Sequence, residues 1–155
     1  MTVTTPIVPG TLVLTGDGPR LRGSRCQVCG TIGFPATAFC ANPDCAKDRA
    51  AIEEWLGGPV GSLWSWTVQH YRATAPFHMD GSGPYAVAMV DLPDRVRVLG
   101  LLHPGDAHLR FGMPMELVAG KLFEGQAGPI VTWMWRPASL VTRRAGTAPE
   151  RATEG

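Results

Sequence analysis

From residue 60 onward the chain alternates apolar and polar side chains with the two-residue period of half-buried β-strands. Trp64, Trp66 and Val68 alternate with Ser65, Thr67 and Gln69, which predicts one long strand with its large side chains on a common face. A loop over residues 73–84, carrying two prolines and two glycines, leads into the apolar run Tyr85-Ala86-Val87-Ala88-Met89-Val90. Leu92-Pro93-Asp94 reads as a turn, after which Arg95-Val96-Arg97-Val98-Leu99 alternates again and predicts a hairpin partner. Asp106 is placed to cap a single helical turn through Ala107, His108, Leu109 and Arg110, closed by Gly112. Two further β-like segments, residues 115–124 and 130–136, flank a turn over residues 125–129. Five strands with a short helix between the third and fourth is the order of an OB-fold, a small Greek-key barrel.

Outside that region the pattern weakens. Residues 1–21 hold short extended pieces, notably 11–14, broken by Gly16-Asp17-Gly18-Pro19, and read as a partly ordered arm. Residues 22–57 contain a cysteine-rich module and a connector in which Ile52, Trp55 and Leu56 precede the breaker Gly57-Gly58-Pro59. The barrel is expected over residues 58–137. Past Pro137 the periodicity stops, so residues 138–155 read as a flexible polar tail.

Composition supports a turn-rich β-protein: charged residues make up 17% of the 155, while glycine and proline number 19 and 14. Fourteen Lys and Arg against thirteen Asp and Glu leave a net charge of +1, too little to draw the chain toward nucleic acid or an anionic membrane. No run approaches the ~18 apolar residues that span a bilayer.

All four cysteines, Cys26, Cys29, Cys40 and Cys45, fall in the stretch RCQVCGTIGFPATAFCANPDC. Two close pairs, C-x2-C and C-x4-C, can each wrap a turn around one ion and present four thiolates at the tetrahedral positions Zn²⁺ accepts. Gly30 suits the left-handed turn that follows the first pair, and Asn42-Pro43 forms a turn within the second. Iron in a rubredoxin-like centre takes the same ligands, and two disulfides are the reading for a secreted domain. No apolar signal segment precedes the cysteines, so a cytoplasmic, reducing location is expected. A four-thiolate site is closed to water and substrate, which makes its default role structural. The predicted fold class is therefore mainly β: a rubredoxin-like zinc ribbon followed by a five-stranded OB-fold barrel.

Catalytic signals are sparse. His70, His78, His103 and His108 sit in no nucleophile–base pattern, and no phosphate or dinucleotide fingerprint is present. His70 and Tyr71 end the first barrel strand beside the proline-rich loop, where they either line a cleft or face solvent. Trp64, Trp66, Tyr71, Trp133 and Trp135 offer rings for stacking on single-stranded nucleic acid, but only two lysines occur, Lys47 and Lys121, and the electrostatic footprint is missing.

The order of motifs is more specific. A C-x2-C-G knuckle at residues 26–30, Phe34-Pro35, the second pair at 40–45, G-x-L-x-S-x-T-V at 61–68, P-Y-x-V-A-x-V-x-L at 84–92 and L-R-x-G-M at 109–113 follow one another. Together they resemble the zinc-ribbon and OB-fold proteins of the DUF35 family, over residues 22–137. That resemblance implies a non-catalytic accessory subunit of a thiolase-superfamily acyl-CoA enzyme: a ketothiolase, an acyltransferase or a lipid-transfer-protein-like retro-aldolase of steroid or aromatic acyl-CoA metabolism. It implies a heterotetramer with that enzyme, structural Zn²⁺ on the four cysteines, and a CoA thioester contacted only within the complex. Two departures stand out: Gly-Asp-Gly-Pro replaces an amphipathic N-terminal helix, and the second knuckle is looser than C-x2-C. The alternative is a stand-alone acyl-CoA binding or acyl-transfer protein with Arg22, Arg25 or Arg72 near the phosphates.

Overall fold

Two β-sheets carry the chain in the computed structural model, which describes residues 3–45, 49–81, 83–105 and 108–139. The strands are β1 (Thr5–Pro6), β2 (Leu12–Thr15), β3 (Gly18–Cys26), β4 (Ile32–Gly33), β5 (Ile52–Gly57), β6 (Val60–Gln69), β7 (Tyr85–Leu92), β8 (Val96–Leu102), β9 (Pro114–Glu124) and β10 (Pro129–Pro137). The larger sheet runs β6-β7-β8-β10-β9, and β9 returns to β6, closing a five-stranded barrel of OB-fold topology. Among the five barrel strands the parallel pairing is β8 with β10, through Met134 against Leu101 and Trp135 against Leu102. The short β1 also pairs parallel with β10, through Thr5 against Ile130 and Pro6 against Val131.

The barrel strands follow the alternation. Ala88, Val90 and Leu92 of β7 and Val98 of β8 turn into a core shared with Leu63, Met115, Leu117, Val131 and Trp135. Gly100 faces the same interior because the indoles fill its space: a Cβ there would lie 2.8 Å from Trp135 Nε1 and 2.9 Å from Trp133 Cδ1.

Three local expectations are corrected. On β6 the register slips between Leu63 and Ser65, so Trp64 occupies a bulge. Leu63 becomes the buried residue, while Trp64 and Val68 are exposed; one extra residue reverses which face the following side chains take. Arg95 belongs to the turn, not to a strand. With φ of 61° it closes a three-residue hairpin loop of Pro93, Asp94 and Arg95, its N–H donating to Leu92 O at 3.1 Å. Third, residues 108–110 are not helical; Asp106 and Ala107 of the expected helical turn lie outside the described residues, as do residues 140–155. Ala138, just past β10, is buried and donates to Pro114 O.

The smaller sheet is organised by β3. One of its edges carries β5 along residues 21–26, and the other carries β2 and then β4. Leu21, fully buried, stands between Leu12 and Gly57 at the centre. The two sheets share one core, since Leu12, Leu21 and Trp55 pack in the same cluster as the barrel residues. Trp55 ties them further: its Nε1–H donates to Asp94 in the β7–β8 turn at 2.9 Å. Its indole lies over Gly57 on its own strand and against Gly23, directly opposite on β3.

Candidate metal centre

The β3–β4 hairpin builds the first half of the site. Cys26 ends β3, and the chain reverses through Gln27, Val28, Cys29 and Gly30, with Gly30 N–H donating to Cys26 O at 2.8 Å and Cys26 N–H to Thr31 O at 2.9 Å. Gly30 has φ of 75°, a conformation that costs other residues a Cβ clash. The second half is built by Asn42. Its side-chain oxygen accepts from Asp44 N–H at 3.0 Å and its carbonyl from Cys45 N–H at 3.2 Å, an Asx turn that brings Cys45 back across the wider spacing. Ser24 Oγ on β3 accepts from Thr37 N–H at 3.1 Å, anchoring the segment between the two knuckles.

All four Sγ atoms lie within 4.8 Å of one another. Cys26 and Cys45 are 3.7 Å apart, Cys29 and Cys40 3.3 Å. Four sulfurs each ~2.3 Å from a tetrahedral Zn²⁺ have edges of about 3.8 Å, so the donor set fits such an ion in both kind and size. The same separations exceed the ~2.05 Å of a disulfide bond, and all four cysteines are free. The cluster can hold a metal ion.

Cys29 and Cys40 differ in acidity. Thr31, whose hydroxyl lies 3.1 Å from Cys29 Sγ, lowers the Cys29 pKa to about 6, helped by its backbone and by Cys40. The Asn42 N–H, 3.4 Å from Cys40 Sγ, favours that thiolate, but burial and the neighbouring sulfurs push the Cys40 thiol up to about 11. A divalent cation among the four sulfurs would favour their thiolate forms. Thr31 and Asn42 are the contributors that a search for ligands overlooks. Their positions, just after C-x2-C-G and within C-x4-C, are the available signal.

The other singled-out residues do not converge. His70, His78, His103 and His108 are all exposed. His78 stacks on Phe123 with ring centres 4.3 Å apart, and His103 and His108 share an open cavity of about 360 Å³ with Met113 and Arg136. Arg22 sits 2.9 Å from Glu54 and Arg25 is exposed, both on β3, whereas Arg72 lines a separate cavity of about 360 Å³ with Tyr85, His103 and Lys121. Lys121 there is already neutralised by Glu124 at 2.6 Å. Lys47 lies outside the described residues. Among the aromatics, Trp135 is fully buried, and Trp133 has Phe34 and Phe77 edge-on at 5.3 and 6.3 Å. Trp66 is half-buried beside Phe111, so Trp64 and Tyr71 are the exposed rings of that set. Trp64 carries the Arg97 guanidinium 3.7 Å above its ring, and Arg97 is held in turn by both oxygens of Asp91, at 2.6 and 3.0 Å.

Comparison with known proteins places these features in a family. The profile described as ChsH2, C-terminal OB-fold domain, matches residues 55–120. A DUF35 domain-containing scaffold protein of Methanothermobacter thermautotrophicus is 30% identical over 112 residues, covering 71% of this chain and 80% of the relative. Benzoylsuccinyl-CoA thiolase subunit BbsA of Thauera aromatica is 28% identical over 125 residues, 78% of each chain. Among solved structures, the Ltp2-ChsH2(DUF35) aldolase is similar with a TM-score of 0.55 and 25% identity, over 77% of this chain and 86% of that one.

Proposed function

Because the chain belongs to the DUF35 family, we propose that it is a non-catalytic accessory subunit that docks on and completes a thiolase-superfamily acyl-CoA enzyme. The observation that carries this reading is the saturated sulfur cluster. It is the one group of metal-ligating side chains among the described residues, and with four cysteines on a tetrahedral ion it leaves no position for substrate. The names of two relatives, a thiolase subunit and an aldolase that pairs Ltp2 with a DUF35 chain, supply the class of partner.

In this account Zn²⁺ is structural, held by Cys26, Cys29, Cys40 and Cys45. It ties the β3–β4 hairpin to residues 40–45 so that residues 22–57 keep the shape that packs on the barrel through Trp55 and Phe34. The catalytic groups belong to the partner, the assembly is a heterotetramer in the cytoplasm, and any CoA thioester is met only at the shared boundary. Trp64 and Leu99, each about half exposed, and Phe111, three-quarters exposed, are large side chains available for that contact. Co-expression with a thiolase-like enzyme encoded beside this protein tests the reading: the two chains are expected to copurify, and the enzyme's activity to fall when this chain is omitted. Chains that neither copurify nor alter each other's activity end it.

A further inference from the structure

The four cysteines are not equally exposed to solvent. Cys26 is 1% exposed and Cys40 7%, Cys45 is half-buried, and Cys29 is exposed at the tip of its knuckle. The sulfurs also fall into two close pairs, Cys29 with Cys40 at 3.3 Å and Cys26 with Cys45 at 3.7 Å. Each close pair therefore takes one member from each knuckle.

We propose that Cys29 is the oxidant-reactive thiol of the ribbon and that Cys40 is its resolving partner, so that a peroxide turns this pair into a disulfide. The inference rests on the reading of the cluster as a metal site only for its second consequence, loss of the ion. A peroxide must approach sulfur from solvent with its O–O bond in line with the attacking electron pair, and Cys29 offers the open approach. The Cys29 thiolate forms an S–O bond as the O–O bond breaks. Hydroxide leaves with the electron pair and is protonated by solvent, and the sulfur, oxidised by two electrons, becomes a sulfenic acid. Cys40, its thiol proton passing to solvent, then attacks the Cys29 sulfur, and the S–O bond breaks with loss of a second hydroxide. Summed, one thiolate, one thiol, one hydrogen peroxide and one proton give one disulfide and two waters.

Geometry selects the resolving residue. Closing 3.3 Å to a bond of ~2.05 Å requires a movement of just over ~1 Å, within reach of side-chain rotation. Burial protects Cys40 from direct attack and so fixes the order of events. Once the pair is oxidised, Cys26 and Cys45 remain as two ligands, too few for tetrahedral Zn²⁺, and the ion departs. The new bond runs between the same two knuckles that the metal joined. The ribbon thus exchanges one crosslink for another.

The test treats the full-length, reduced, metal-loaded protein with graded hydrogen peroxide, follows metal release with a chromogenic chelator, and maps bonds by non-reducing peptide mass spectrometry. The first disulfide is expected to join Cys29 to Cys40, with one ion released per bond formed. A dimedone adduct should appear on Cys29 alone, and Cys40→Ser should prolong its life by about tenfold or more. A first bond between Cys26 and Cys45, a first adduct on Cys45, metal loss with all thiols reduced, or thiols that survive excess peroxide overturns the assignment. If the reduced protein binds no ion yet the Cys29–Cys40 bond still forms, the metal reading fails and the assignment of these two cysteines stands.

Discussion

Replacing Gly57 by alanine puts one methyl group where the Trp55 indole lies. A Cβ built on that backbone overlaps Trp55 Cη2 and Cζ2 and comes within 2.7 Å of Cζ3, where carbon atoms rest at about 3.5–4.0 Å. The ring has little room to yield. It is 5% exposed, a Cβ at Gly23 would already approach its Cε3 at 2.9 Å, and its Nε1–H is engaged by Asp94 at 2.9 Å. Overpacking a core with the ring in place costs about 1–3 kcal/mol. Expelling the ring approaches the ~3–5 kcal/mol of deleting a buried tryptophan and also breaks its hydrogen bond to a carboxylate. The chain takes the cheaper route, so a loss of about 2–3 kcal/mol is expected, a large share of the ~5–15 kcal/mol that holds a domain together. Urea unfolding of the metal-loaded protein, followed by far-UV circular dichroism, measures it. Gly16→Ala is the control, because a Cβ there meets nothing within 4 Å and the change should stay within about 0.5 kcal/mol. A Gly57→Ala protein as stable as that control refutes the wedged position of Trp55 and, with it, the rigid junction between the sheets.

Further expectations are independent of that one. Trp55→Phe combined with Asp94→Ala in a double-mutant cycle should give a coupling of about 1–2 kcal/mol in urea midpoints, and additive effects would remove the hydrogen bond from the junction. Hydrogen bonding from Arg97, reinforced by its charge against the opposing effect of burial, holds the Asp91 carboxyl below its ordinary range. Its stabilising contribution is therefore complete above the unfolded-state value of about pH 4 and fades as the pH falls through the lower folded value. The difference between wild type and Asp91→Asn should be present at neutral pH and vanish in strong acid; it stays below about 1 kcal/mol because both side chains are about two-fifths exposed. Equal midpoints at neutral pH would show that the pair adds nothing. Cys45→Ser should lower bound metal from one ion per chain, read by elemental analysis, and unfold the ribbon while the barrel's strand signal persists; full retention of the ion would strike Cys45 from the ligand set.

Much of this protein is legible from short stretches of its sequence. The two cysteine pairs stand out as a candidate metal site because their spacing is a property of a few consecutive residues, and the left-handed Gly30 follows from the turn after the first pair. The five barrel strands are equally local, since a half-buried strand repeats every two residues. Where the reading slips, one residue does it. Trp64 and Trp66 keep the period in the sequence, but the bulge at Trp64 changes the phase, and only the pairing of β6 with β7 reveals which side chain is the extra one.

The tertiary structure decided what these elements do to each other. Gly57 looks like a strand breaker beside Gly58-Pro59, yet it ends β5 and leaves space for an indole. Trp55 looks like one apolar residue of a connector, yet it reaches Asp94, 39 positions away, and joins two sheets. The inequality of the cysteines is of the same kind, since spacing makes all four alike as candidate ligands and only folding buries Cys26 and Cys40 while exposing Cys29. Period and ligand spacing are set by backbone geometry within a few residues. Burial, ring placement and pairing depend on which distant segments arrive at the same place, and no local pattern encodes that.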